Sequence, residues 1–137
     1  MIKDMLIRDE GNVSWAYQDS EGYWTIGVGR LIDKRKGGGL SEDEIMYLLE
    51  NDIKRSTAEA EKFTWFYDLN APRQAVIISM LFNMGLPTFK QFKRMIMAIE
   101  KGDFWQASHE MMDSKWADQV GPRADRLSIM METGEWL

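Results

Sequence analysis

Between Glu10 and Leu31 the chain reads EGNVSWAYQDSEGYWTIGVGRL, and these 22 residues restrict its folding more than any other stretch. Just upstream, Ile2, Met5 and Leu6 are spaced as the apolar positions of a short amphipathic helix over residues 2–10, which Gly11 stops. Residues 15–18 and 23–32 then read as two strands around Asp19-Ser20-Glu21-Gly22, whose composition is that of a hairpin loop. Alternation along the second strand puts Tyr23, Thr25, Gly27 and Gly29 on one face and Trp24, Ile26, Val28 and Ile32 on the other.

Downstream the text becomes helical. Lys34-Arg35-Lys36-Gly37-Gly38-Gly39 reads as a flexible, solvated basic loop. Ser41 with Glu44 forms a capping box and opens a helix that carries Ile45, Leu48, Leu49 and Ile53 on one side. Run unbroken to about residue 62, at ~1.5 Å per residue, it would be about 33 Å long, enough to join two lobes. Pro72 sits in the first turn of the next helix and Gly85 closes it. A helix over about 88–100 carries Phe89, Phe92, Met95, Ile96 and Ile99 and ends at Gly102. Asp103 can cap another over about 104–112, and Pro122 opens one that ends near Gly134. The expected class is α+β: a small N-terminal hairpin lobe, a larger helical C-terminal lobe, and a cleft between them.

The composition narrows the function. With 45% hydrophobic and 28% charged residues in 137, the chain is globular and large enough to bury a core. A net charge of −5 without a basic stripe argues against nucleic acid as a partner. No run of 18 apolar residues could span a membrane, so no stable insertion is expected. MIKDMLIRDEGN is too charged for a signal peptide, so synthesis in the cytoplasm is expected, with export needing other help. Without cysteine and with a single histidine, neither a disulfide nor a multi-histidine metal site is available, and no cofactor is implied. The 11 methionines fall mostly in apolar helical runs (Met80, Met84, Met95, Met97, Met111, Met112), where they serve as core filling.

Three residues carry the chemistry. Glu10 stands in the last turn of its helix, where the negative end of the dipole disfavours an ionised carboxylate and favours the proton that a general acid needs. By itself Glu10 would pass for a surface glutamate, and Asp19 for a turn residue bonded to its own backbone. Held apart as a pair, they are what acid-assisted attack of water on a glycosidic bond requires, with Asp19 polarising the water. Thr25, followed on its face by Gly27 and Gly29, which leave room for a water and a sugar, can orient that water with its hydroxyl. His109 has no nucleophile beside it in any recognisable motif and reads as an ordinary helix residue. Trp105, Trp116 and Trp136 read as core or interhelix packing, whereas Trp15, Tyr17, Tyr23 and Trp24 on the hairpin are better placed to line a saccharide site.

MLIRDEG followed by YQDSEGYWTIGVGRL resembles the phage T4-type lysozymes, the endolysins of glycoside hydrolase family 24. PRQAVIISMLFNMG, SKW at 114–116, PRADR and TGEW continue the resemblance in order to the end of the chain. The resemblance implies one lysozyme-like domain, with an N-terminal lobe over about 11–55 and a helical lobe from about 1–10 and 56–137. It implies a muramidase that cuts the β-1,4 bond between N-acetylmuramic acid and N-acetylglucosamine in peptidoglycan with inversion at the anomeric carbon. By position, Glu10 matches the proton donor, Asp19 the second carboxylate and Thr25 the threonine of the TIG motif. Leu31 and Phe82 match positions that line the sugar cleft, Asn83 an amide that contacts substrate, and Arg123 an arginine that supports the catalytic glutamate. A monomer is implied, present in the host cytoplasm and released to the wall through a holin-type membrane protein. Three departures stand out: Arg30 replaces the family histidine, the 33–41 connection is short where an extra helix is usual, and the chain is acidic. The alternatives are a non-catalytic peptidoglycan-binding module on the same fold, and a helical protein whose Met-rich faces bind a partner.

Overall fold

Helix α1 (Ile2–Glu10) ends at Gly11, whose N–H caps the Ile7 carbonyl at φ 83°. The computed structural model describes all 137 residues. After α1 come three antiparallel strands in the order β1 (Val13–Gln18), β2 (Trp24–Gly27) and β3 (Arg30–Leu31). Tyr17 lies opposite Thr25, and Thr25 lies opposite Leu31, so Thr25 is on the central strand. The single strand expected over 23–32 is therefore two. Gly27 (φ 68°) and Gly29 (φ 65°) take left-handed values that side chains resist, and the chain folds back between them. The alternation of faces accordingly stops at Gly27.

Residues 34–36 are not a flexible loop but a 3-10 turn. Asp33 caps it by accepting the Arg35 N–H, and Gly37 at φ 70° closes it. The capping box of the next helix forms as read: Ser41 N–H donates to Glu44 Oε1 at 2.8 Å and Glu44 N–H to Ser41 Oγ at 3.3 Å. Helix α2 (Glu42–Ala60) has 19 residues, about 28 Å at ~1.5 Å each.

The chain divides by its contacts into two compact units, Met1–Leu48 and Leu49–Leu137, and the boundary falls inside α2. Helix α1 groups with the hairpin in the first unit. The physical tie is Gly29, whose backbone lies directly against the Glu10 side chain.

The second unit continues from α2 into α3 (Ala71–Met84), α4 (Leu86–Phe89), α5 (Lys93–Glu100), α6 (Phe104–Met112), α7 (Lys115–Val120) and α8 (Pro122–Thr133). The helix expected over about 88–100 is broken into α4 and α5, and the break lets both Phe89 and Met95 turn fully into the core. Helix α7 was not anticipated, although Ser114 signals it by accepting the Ala117 N–H at 3.1 Å. The core is hydrocarbon and thioether: Phe66, Val76, Ile77, Met80, Leu81, Phe89, Met95, Met111 and Met131 are all under 2% or at most 2% exposed. Met80, Met95 and Met111 thus fill the core as expected, but Met97 and Met112 are exposed. Of the three tryptophans assigned to packing, Trp116 is buried while Trp105 and Trp136 are exposed. No helix is long and apolar enough to cross a membrane.

One polar clamp closes this unit. Arg73 at the start of α3 donates to the Met131 and Glu132 carbonyls at 2.7 and 2.9 Å, and Asn70 Nδ2 donates to the Gly134 carbonyl at 2.9 Å. They satisfy carbonyls that the end of α8 leaves without intrahelical partners. The guanidinium also lies 3.6 Å from the centre of the Phe104 ring. Gly134 (φ 72°) has room only for hydrogen, since a Cβ there would come within 2.9 Å of Arg73 Cζ and Asn70 Nδ2. Gly134→Ala is expected to destabilise the chain by about 1–3 kcal/mol, from left-handed strain and displacement of the clamp. A urea midpoint equal to that of the parent chain would refute this.

Candidate functional site

The hairpin unit contains four of the residues singled out in the sequence: Glu10, Asp19, Thr25 and Leu31. Glu10 is the last residue of α1 and is exposed. Its carboxylate lies over the turn between β2 and β3. A Cβ built on Gly29 would be 2.7 Å from Glu10 Oε2 and 3.1 Å from its Cδ. Gly29 is therefore not an empty place beside Thr25, as the strand alternation suggested. Its missing side chain is what admits Glu10. Gly27 does face open space, with nothing within 4 Å of an added Cβ.

Asp19 and Thr25 meet at the backbone of one residue, Tyr23. Asp19 N–H donates to the Tyr23 carbonyl at 2.9 Å, and Tyr23 N–H donates back to Asp19 Oδ1 at 2.9 Å. The same Oδ1 accepts the Glu21 N–H at 2.9 Å. Thr25 is only 5% exposed, and its Oγ1 donates to that Tyr23 carbonyl at 3.0 Å. The consequences are directional. Asp19 Oδ2 is left without a protein partner, and the Thr25 hydroxyl, its proton committed to a carbonyl, presents lone pairs. Both groups are then acceptors, as a water molecule's two protons would require.

A buried carboxylate, which sequence reasoning missed, lies beneath this loop. Asp33 is 5% exposed, and Asp33 and Thr25 are the only buried side chains of the hairpin unit. Asp33 Oδ1 accepts the Arg35 N–H and Nε–H, both at 2.9 Å, while Oδ2 accepts Arg35 Nη2 at 2.7 Å and the Trp24 N–H at 3.2 Å. The Arg35 guanidinium and the two backbone donors hold its carboxyl well below the usual carboxylate range, against a smaller opposing effect of burial. The signal was present in Asp33-Lys34-Arg35-Lys36-Gly37, a capping aspartate with a closing glycine.

Arg30, at the position of the family histidine, pairs with Glu44 on α2. Glu44 is the capping-box residue, so β3 is fastened to the start of α2, and the backbone and arginine donors lower the pKa of Glu44. The ion pair joins two partly exposed side chains, so it orients more than it stabilises.

The remaining candidates belong to the helical unit. Phe82, on α3, is 45% exposed. Asn83 Oδ1 accepts the Trp116 indole N–H at 2.9 Å and lines an open groove of about 770 Å3 with Met84, Phe92, Ser114, Trp116 and Gln119. Arg123, on α8, donates from Nη2 to Ser79 Oγ at 2.9 Å and to the Ser79 carbonyl at 3.3 Å. His109 stacks on Trp105 with ring centres 3.8 Å apart, and its Nδ1 lies 2.8 Å from the Trp105 carbonyl, a local contact within α6.

A family model described as phage lysozyme matches residues 8–129. Two Dictyostelium discoideum proteins, probable T4-type lysozyme 1 and probable T4-type lysozyme 2, are 31% and 29% identical to the chain over 160 aligned positions. Each alignment covers 97% of this chain and 94% of the relative. The pre-baseplate central spike protein Gp5 of Enterobacteria phage T4 is 29% identical over 97% of this chain, but the match covers only 28% of that protein.

Two outcomes follow from the hairpin geometry. Gly29→Ala should push the Glu10 carboxylate out of its place over the turn, and a carboxyl 13C shift of Glu10 identical to the parent's would refute that. For Asp33, the folded pKa lies below the unfolded value of about 4. Its contribution to stability is then complete above that value and is lost as the pH falls below it toward the folded pKa. The difference in unfolding free energy between the parent and Asp33→Asn should be flat from neutral pH to about 5 and shrink below about 4. A difference that instead grows on acidification would contradict the assignment.

Proposed function

Because the chain belongs to the phage lysozyme family, we propose that it cuts the β-1,4 bond between N-acetylmuramic acid and N-acetylglucosamine in peptidoglycan, with Glu10 as the proton donor. It is a lysozyme, and so a glycoside hydrolase. In this mechanism the protonated Glu10 carboxyl gives its proton to the glycosidic oxygen as the bond to the anomeric carbon breaks. A water held by Asp19 and Thr25 attacks that carbon from the opposite face and yields its proton toward Asp19, so the configuration inverts in one displacement.

One observation supports this division of labour above the rest. The hairpin binds one oxygen of Asp19 and the proton of Thr25 to its own backbone, and what it leaves free are two acceptors on neighbouring groups. That arrangement suits a water whose oxygen lone pair must point away, toward an electrophile. Leu31 in the hairpin unit, and Phe82 and Asn83 in the helical unit, are assigned to sugar contacts. Arg123 is assigned to support Glu10, with part of its guanidinium already committed to Ser79. Delivery is a separate part of the reading: synthesis as a monomer in a host cytoplasm, then passage to the wall through a hole made by a membrane partner.

The test is release of reducing sugar from purified peptidoglycan, with the anomer of the first product read by NMR. Glu10→Gln and Asp19→Asn should each lower the rate by about 10²–10⁴-fold, and the parent should release the inverted α-anomer. Wild-type binding to peptidoglycan without any release of sugar would replace this reading with a non-catalytic binding module. Full activity in both variants would place the active site elsewhere.

A further inference from the structure

We propose that Asp33 and Arg35 are positioning residues of this lysozyme, a buried carboxylate and a forked cation that hold the hairpin loop so that Asp19 and Thr25 face the same water. The inference rests on the assignment of Asp19 and Thr25 given above. Neither Asp33 nor Arg35 has to touch substrate. Their effect passes through the two peptides on either side of Tyr23.

On one side, Arg35 Nη2 donates to the Gly22 carbonyl at 3.2 Å, inside the loop that begins at Asp19. On the other, Asp33 Oδ2 accepts the Trp24 N–H at 3.2 Å, and the Trp24 carbonyl accepts the N–H groups of Ile32 and Asp33 at 2.9 and 3.1 Å. These two anchored peptides are the ones that bond the site residues: the Gly22–Tyr23 peptide gives the Tyr23 N–H to Asp19, and the carbonyl of the Tyr23–Trp24 peptide accepts the Asp19 N–H and the Thr25 hydroxyl. The Arg35 guanidinium also lies 5.1 Å from the centre of the Tyr23 ring, which holds that residue from its side chain as well.

The chemistry requires an arginine. Arg35 gives Nε–H to one oxygen of Asp33 and Nη2–H to the other, while Nη2 also reaches Gly22. A lysine ammonium is a point charge and cannot span both oxygens and a carbonyl with one planar fork. The neighbouring Lys34 makes no ion pair and serves as a control of equal charge in the same turn. Gly38 shows how tightly the turn is folded back, since a Cβ there would fall 2.6 Å from the Leu31 carbonyl oxygen.

The experiment is steady-state kinetics on soluble peptidoglycan fragments for the full chain and for Arg35→Ala, Arg35→Lys, Lys34→Ala and Asp19→Asn. Amide hydrogen exchange at Gly22, Tyr23 and Trp24 is followed in parallel. Expected are a kcat lower by about tenfold in Arg35→Ala with KM within about twofold, and faster exchange at Tyr23 and Trp24. Arg35→Lys, which keeps the charge and the stem and so guards against simple failure to fold, should recover little of the lost kcat. Lys34→Ala should match the parent. Parental kcat in Arg35→Ala or Arg35→Lys, with Asp19→Asn inactive, overturns the positioning role and leaves the Asp19 assignment standing. An effect confined to KM, or shared equally by Lys34→Ala, means that the basic turn acts by charge on the substrate and also overturns it. Activity surviving in Asp19→Asn removes the assignment itself, and this inference with it.

Discussion

The carboxylate of Asp33 carries the hairpin unit. A buried acceptor with four lone-pair sites must be satisfied or it destabilises whatever encloses it. Here the four donors come from Trp24 and Arg35, so satisfying one carboxylate forces β2 and the turn after β3 into one arrangement, and Arg35 extends it to the loop by donating to the Gly22 carbonyl. No buried polar side-chain atom in the chain is left without a partner. The helical unit is built on the opposite principle. Its core from Ala60 to Met131 is apolar, and there shape and volume decide the packing.

A small unit without an apolar core can still hold its polar side chains in fixed directions. Hydrophobic contacts are non-directional, whereas hydrogen bonds fix angles. The hairpin relies on the second kind. Tyr23 illustrates it: its carbonyl accepts a hydroxyl and an N–H, and its own N–H donates to a carboxylate. The direction of each bond decides which lone pairs remain available. What this unit offers to a bound molecule therefore depends on which donors are spent internally, and not only on which residue types are present.

Much of the fold could be read from local chemistry. Gly11, the Ser41–Glu44 box, Pro72 and Asp103 each act within one turn of chain, and each marks a helix end where it was expected. Readings failed where distant contacts intervene. Gly29 looked like open space on a strand, but its neighbour is Glu10, 19 positions back along the chain. Trp116 and Trp105 looked equivalent, yet one is buried with its indole N–H bonded to Asn83 and the other is exposed. Arg35 looked like one charge of three, and only the fold shows which of them has a buried partner.

The sequence by itself determined the family, the α+β class, and the order of the catalytic candidates Glu10, Asp19 and Thr25. These follow from short-range rules, namely caps, turn residues and the ordered succession of segments. Tertiary structure alone decided that β2 and β3 are separate strands, that Glu10 occupies the space left by Gly29, and that Asp33 and Arg35 brace the loop. The reason is physical: a cap or a turn is settled by neighbours in the chain, but burial and the choice of hydrogen-bond partner depend on which backbone arrives from elsewhere.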